Sequence, residues 1–233
     1  MRRLRAAPIA ALAGSLACRA PESRARQVDT MMDTMTVATS TFRALPAASV
    51  RGRMTLEEAL ARRRSVRAFA PDTLDERTIA QLLWAAQGVT SPEGFRTAPS
   101  AGALYPLEVY VARRGGLTHY QPRGHRQELL LAHDPRPELA RAAYRQSVVV
   151  EAPAVFVITA VVARTAAKYD GRAERFVHLE AGHAAQNLLL QAVALGLGAV
   201  PIGAFDDQRV RDALHLPPGE EPLYLIPVGH PGA

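Results

Sequence analysis

Ten consecutive residues, Pro153 to Val162, read PAVFVITAVV and carry no charge. A strand that apolar has no face to give to water, so it belongs inside a sheet covered on both sides. Around it helical and extended patterns mix without strict βα alternation, which predicts an α+β layered domain with helices packed on a sheet. Thr55 and Glu58 form a capping box before Leu56, Ala59 and Leu60, and the helix they open runs into Arg62–Arg67, with Pro71 as its stop. Thr73 and Glu76 form a second box before Ile79, Leu82, Leu83 and Ala86, which are spaced for a helix ending at Gly88. Leu107–Val111 alternates as a strand, and residues 137–145 read as a short helix. A long helix spans residues 172–195 with Phe176, Leu179, His183, Leu188, Leu189 and Val193 on its packed side. Residues 199–205 read as a short buried strand, Asp206 caps a helix through Leu214, and residues 223–228 form a last strand.

At 233 residues and 48% hydrophobic, the chain suits one domain plus a tail. Its single cysteine, Cys18, excludes a disulfide framework and CxxC metal sites. The net charge of +6 is unevenly placed: residues 1–53 hold nine arginines and three acids, leaving nineteen bases and nineteen acids for the rest. A balanced body offers no general attraction to phosphate backbones, so nucleic acid is not expected as a partner. Residues 1–20 read as a signal or lipoprotein peptide: Arg2, Arg3 and Arg5 precede an apolar stretch, and Ser15-Leu16-Ala17-Cys18 loosely fits a lipoprotein box. Export or envelope anchoring through Cys18 is the matching expectation, with the cytoplasm as the alternative. Residues 21–50 read as a linker and 51–233 as the folded domain.

Four clusters carry candidate chemistry. Arg63, Arg64, Ser65 and Arg67 place three guanidiniums and a hydroxyl where a phosphate monoester would fit, although such a run is also an ordinary solvated face. The loop from Thr97 to Pro106, TAPSAGALYP, contains Pro99, Ser100, Ala101 and Gly102, whose small side chains let a flat ligand approach the backbone. It equally suits a plain connection, and without a GxSxG elbow Ser100 is not a hydrolase nucleophile. Pro201, Ile202 and Gly203 lie where a strand opens toward a capped helix, a common place for ligands. Lys168, beside Tyr169, is the one lysine among 28 basic residues. Lysine can lose its proton and act as a base, which arginine cannot, though a surface position kept by chance reads the same way. His178, Glu180 and His183 lack the spacing and the third ligand of a metal centre, so no metal is expected.

The order RRRSVRAF, RTAPSAGALYPLEVYV, KYDGRAERF, HLEAGHAAQNLLLQAVALGLGAVPIGAFDD, PLYLIPVGHP resembles the nitroreductase superfamily. It is most similar to the SagB-type branch, whose members oxidise thiazolines and oxazolines in peptides. The resemblance runs from about Leu45 to the C-terminus. It implies a nitroreductase-like sandwich of a mixed sheet flanked by helices, an intertwined homodimer, and FMN at each subunit interface. It further implies that Arg63, Arg64, Ser65 and Arg67 hold the phosphate. Pro99, Ser100, Ala101 and Gly102 would lie along the ring, and Pro201, Ile202 and Gly203 would cover its other edge. Lys168 and Tyr169 match the pair that removes a substrate proton while hydride passes to flavin. The implied activity is hydride transfer between flavin and a small-molecule or azoline-like peptide substrate. An NAD(P)H-dependent nitro or quinone reductase, a flavin-binding protein without turnover, and an arginine-rich module for anionic partners are the competing readings. A flavin supplies redox chemistry itself, so a chain without paired cysteines or metal ligands can still be an oxidoreductase.

Overall fold

A computed structural model describes residues 42–232 of the chain. One seven-stranded sheet runs through them. Its strands are β1 (Phe42–Ala44), β2 (Leu107–Arg113), β3 (Gly116–Gln121), β4 (Arg126–Leu131), β5 (Ala154–Ala160), β6 (Gly198–Ala199) and β7 (Glu221–Gly229), in the order β1-β4-β3-β2-β5-β7-β6. The apolar run becomes β5, all seven residues of which are buried, flanked by β2 and β7. Its side chains alternate between two cores: Ala154, Phe156, Ile158 and Ala160 enter one, Val155 and Val157 the other. β2 divides likewise, with Leu107, Val109 and Val111 against Tyr110 and Ala112. A strand buried on both faces thus makes the domain three layers deep.

Helices α1 (Leu56–Arg62), α2 (Glu76–Gln87), α3 (Arg136–Ala142), α4 (Ser147–Glu151), α5 (Val162–Tyr169), α6 (Ala173–Ala194) and α7 (Asp207–Leu214) complete the fold. Residues of α2 and α6 fill the first core, and residues of α3, α4 and α7 fill the second. The Thr55–Glu58 capping box forms as expected. At α2 the cap is Asp75, not Thr73: an ionised oxygen one residue before the helix accepts from Thr78 N at 2.8 Å, at the positive end of the dipole. Asp206 caps α7 by accepting from Arg209 N.

Other expectations are corrected. The helix expected to run to Pro71 stops at Arg62, because Arg63 leaves helical geometry and the following chain pairs along the sheet edge. The strand expected over 199–205 shrinks to β6, since Pro201 has no N–H to continue a ladder; only Ile202 rejoins, bridging Leu225. Lys168 lies in the last turn of α5. The hairpin β3–β4 and helix α4 carry no sequence signal that singles them out. Part of the expected linker is structure: Phe42–Ala44 pairs with β4, and Leu45 is buried. Pairings between named strands are antiparallel; the parallel component of the expected mixed sheet is the bridge between Ser65 and Ala199. The targeting peptide at 1–20, and the linker up to 41, lie outside the described residues. No helix among the described residues is long and apolar enough to cross a membrane.

Candidate functional site

Arg63 to Arg67 leave α1 as extended chain along β6. Ser65 forms its parallel bridge with Ala199, and Val66 N donates to Ala199 O at 3.0 Å. The strip continues as Ala70 N donates to His230 O at 2.9 Å and Gly232 N to Ala68 O at 2.8 Å. Gly198 permits this approach: a Cβ there would stand 2.6 Å from Val66. The arginine segment therefore pairs with Ala199, two residues before the Pro201–Gly203 segment and about 135 positions away in sequence. Arg64 turns back to donate to the Ala61 and Arg63 carbonyls, closing the end of α1. Arg63 and Arg67 form no ion pair among the described residues, and Ser65 and Gly203 are exposed. A cationic edge without carboxylate partners is suited to an anion from solution.

The second pair of clusters also converges. Gly102 has φ +63°, and a Cβ on it would stand 3.0 Å from Tyr169 Oη and 3.1 Å from Lys168 Nζ. Lys168 Nζ also stands 5.5 Å from the Tyr169 ring centre, and that ring meets Phe176 of α6 edge-on. The small-residue loop is thus the surface on which the lysine–tyrosine pair rests.

That loop is fastened from several sides. Ser100 Oγ accepts from Tyr105 N at 2.9 Å, and Arg164 of α5 donates to Tyr105 O at 3.2 Å. Asn187 of α6 donates to Thr97 O at 3.2 Å. Arg96 lies over the Tyr105 ring at 4.3 Å and donates to Gln87 Oε1 at 2.8 Å. Arg164 also pairs with Glu108 at 2.6 Å, and His119 sits 2.8 Å from the same carboxylate. Burial pushes the Glu108 carboxyl up, but His119 and Arg164 outweigh it and hold it below the usual range. Beside the loop a cleft of about 300 Å³ is lined by Phe95, Arg96, Tyr105, Arg123 and Arg164. A larger groove of about 980 Å³, between residues 47–59, α2 and α6, contains none of the expected site residues.

Beneath the loop sits a group that the sequence singles out only as a metal-ligand candidate. Glu180 is 3% exposed on α6, and its Oε1 has no hydrogen-bond partner. Burial raises its carboxyl to about 7, against the lowering influence of Ser100 and Arg96. Its apolar flanks, Val177, Ala181 and Ala184, are the only hint of that burial in the sequence. His178 and His183 are exposed, which corrects the expectation that His183 packs in the helix stripe. Among the described residues no cluster of three His, Cys, Asp or Glu is placed to hold a metal.

Fold and site together define a class: an α+β sandwich with a cationic sheet edge and a small-residue loop under a lysine–tyrosine pair. Residues 60–230 match the model of the nitroreductase family. A Methanocaldococcus jannaschii protein named as a nitroreductase is 44% identical over 180 residues, 75% of this chain and 90% of that protein. The crystal structure of a Ralstonia eutropha protein named as a nitroreductase superposes with a TM-score of 0.76 at 33% identity, covering 84% of this chain and 93% of that one. The NADPH:FMN oxidoreductase of Vibrio harveyi, solved with NAD+, shares the fold with a TM-score of 0.58 at 22% identity over 76% of this chain and 69% of its own. The chain belongs to the nitroreductase family.

Proposed function

We propose that this chain is an FMN-dependent oxidoreductase of the SagB type, with Lys168 and Tyr169 as its proton-handling pair. The observation that carries this reading is the seat of Lys168 Nζ and Tyr169 Oη on the left-handed backbone of Gly102. A lysine amine can serve as a base, which a guanidinium cannot, and Lys168 is the single lysine of the chain.

The residues present fit FMN. Arg63 and Arg67 offer guanidiniums without carboxylate partners, Ser65 adds a hydroxyl, and Gly203 leaves backbone open to a flat ring. When bound, FMN supplies the hydride chemistry. The chain's own residues do the rest: the arginines grip phosphate, Pro99 to Gly102 and Pro201 to Gly203 bound the ring, and Lys168 Nζ takes up the substrate proton. Pro99 to Gly102 would reach the ring from the partner subunit. Exposed Leu56 of α1 and Leu195 at the end of α6 line the larger groove, and with exposed Leu60 on α1 and Leu179 on α6 they favour an intertwined homodimer. The substrate would be a small molecule or an azoline-like peptide.

A second reading is an NAD(P)H-dependent nitro or quinone reductase, supported by the 44% identical relative's name as a nitroreductase. Rapid mixing with NADH separates the two. The SagB reading expects a yellow protein whose flavin NADH reduces slowly and whose Lys168→Ala variant keeps its flavin but loses at least about 100-fold in turnover of an azoline peptide. Fast reduction by NADH with unchanged Lys168→Ala turnover assigns the second. A colourless protein that FMN does not stabilise sinks both.

A further inference from the structure

The proposed flavin grip uses none of the arginines in the cleft beside the loop at residues 100–105. Four separate segments build that cleft: Phe95 and Arg96 come from the turn after α2, Tyr105 from the loop, Arg123 from the β3–β4 turn and Arg164 from α5. The first of these turns is laced to itself. Val89 bridges Arg96, Thr90 N donates to Phe95 O at 2.7 Å, and Gly94 N donates to Ser91 O at 3.0 Å. Arg123 lies against it, with Nη2 3.4 Å from where a Cβ on Gly94 would stand.

Charge in this cleft does not balance. Three guanidiniums line it against one carboxylate, the exposed Glu93. Arg164 is answered by Glu108 at 2.6 Å, whereas Arg96 and Arg123 form no ion pair among the described residues. Arg96 is half-buried, donates to the neutral Gln87 Oε1 at 2.8 Å and stands 4.3 Å over the Tyr105 ring. A partly desolvated guanidinium without an acid is costly, and an anion joining it removes that cost. The walls select the anion. Guanidinium forks match a carboxylate through two parallel bonds, and the Tyr105 ring and Phe95, which is 55% exposed, offer flat apolar surface beside them. A space of about 300 Å³ suits a small ring compound rather than a dinucleotide.

We propose that this cleft is the carboxylate-binding end of the substrate site, so that the substrate is a small flat ring bearing a carboxylate. Two cations from one face of α5 tie the cleft to the reacting end. Arg164 and Lys168 stand one turn apart, about 6 Å along the helix axis. Both reach the same loop: Arg164 donates to Tyr105 O at 3.2 Å, and Lys168 Nζ lies 3.1 Å from the Cβ position of Gly102. Gly102 adjoins Ala103, which lines the cleft. A single ring anchored through its acid group by Arg96 and Arg123 therefore extends toward the lysine amine. That placement rests on the reading of Lys168 and Tyr169 as the proton handlers; the anion site itself does not.

The test titrates benzoate and its neutral isostere benzamide into the purified full-length protein by isothermal calorimetry. Benzoate is expected to bind at least about tenfold more tightly than benzamide. Arg123→Ala and Arg96→Gln should each weaken benzoate by about tenfold or more and leave benzamide within about twofold. Arg123 is exposed on a turn, so its variant decides the matter even where Arg96→Gln, which also loses the Tyr105 ring contact, does not fold. Equal binding of acid and amide, or benzoate binding that Arg123→Ala leaves unchanged, overturns the proposal. Inorganic phosphate that binds more tightly than benzoate and loses affinity in Arg123→Ala assigns the cleft to a phosphate ester and overturns it too. With 2-methylthiazoline-4-carboxylate and its amide as substrates, Arg123→Ala should raise KM for the acid about tenfold at unchanged kcat and leave the amide unmoved. An unmoved KM for the acid breaks the link to the substrate. Failure of the wild type to turn over either compound counts against the azoline reading, while the benzoate titration still decides the cleft.

Discussion

Lys168 could be picked out by arithmetic, one lysine against 27 arginines, but its neighbours could not. Tyr169 is adjacent, whereas Gly102 lies 66 positions away and reaches it only through the fold. Gly102→Ala should reveal that contact. Left-handed backbone costs a residue with a Cβ about 1–2 kcal/mol, and the new methyl must push aside two flexible side-chain ends. Thermal unfolding should drop by about that amount while turnover falls several-fold further than the stability loss accounts for. Normal turnover would separate Gly102 from the chemistry. At the other edge, Arg63→Ala should weaken FMN retention by tenfold to a hundredfold, about the loss of one charge-assisted bond, measured by equilibrium dialysis. Unchanged affinity would make the cluster a solvated face.

Helix α6 shows where element-level patterns succeed and fail. Its extent is legible from the sequence to within a residue at each end, but the face it buries is legible only in part, at Leu188 and Leu189. Leu179 is 53% exposed while Ala173, Ala181, Ala184, Ala185 and Ala192 are buried. Alanine brings backbones close, so a stripe of small residues can be the packed face while larger side chains point outward. The short strand β6 depends on the same closeness: Gly198 touches Val66 and keeps the arginine segment against the sheet. Gly198→Ala should cost about 1–3 kcal/mol of stability, since neither backbone nor a β-branched side chain can yield easily. It should also lower FMN affinity by displacing Ser65 and Arg67. A variant with native melting and native affinity would disprove that coupling.

For the whole molecule, buried carboxylates set the pH range of stability. Asp134 sits partly buried, and its bonds to Arg136 outweigh that burial and hold it below its usual range, as His119 and Arg164 do for Glu108. Groups lowered on folding stabilise above their unfolded pKa, and this contribution is lost as pH falls through the folded value. Glu180 runs the other way. Its folded value, raised from 4.5 to about 7, means the native state keeps a proton the unfolded chain has released. Stability should therefore fall as pH rises across that interval, by up to about 3 kcal/mol, and level off above it. Urea unfolding between pH 5 and 8 checks this, and Glu180→Gln should flatten the decline. A wild-type curve without the decline would mean the carboxyl is already ionised at pH 5.

By itself the sequence determined the layered α+β plan, because a strand with no polar face must lie between two covering layers. It also determined most helices, through caps and three- and four-residue spacing, and pointed to the four candidate clusters, through local composition and a family-like order. The tertiary structure alone decided that these clusters merge into two contacts, Arg63–Arg67 against Ala199 and Gly102 against Lys168–Tyr169. It alone put Glu180 beneath the loop, since burial, hydrogen-bond partners and a left-handed backbone arise from packing between segments that no local pattern relates.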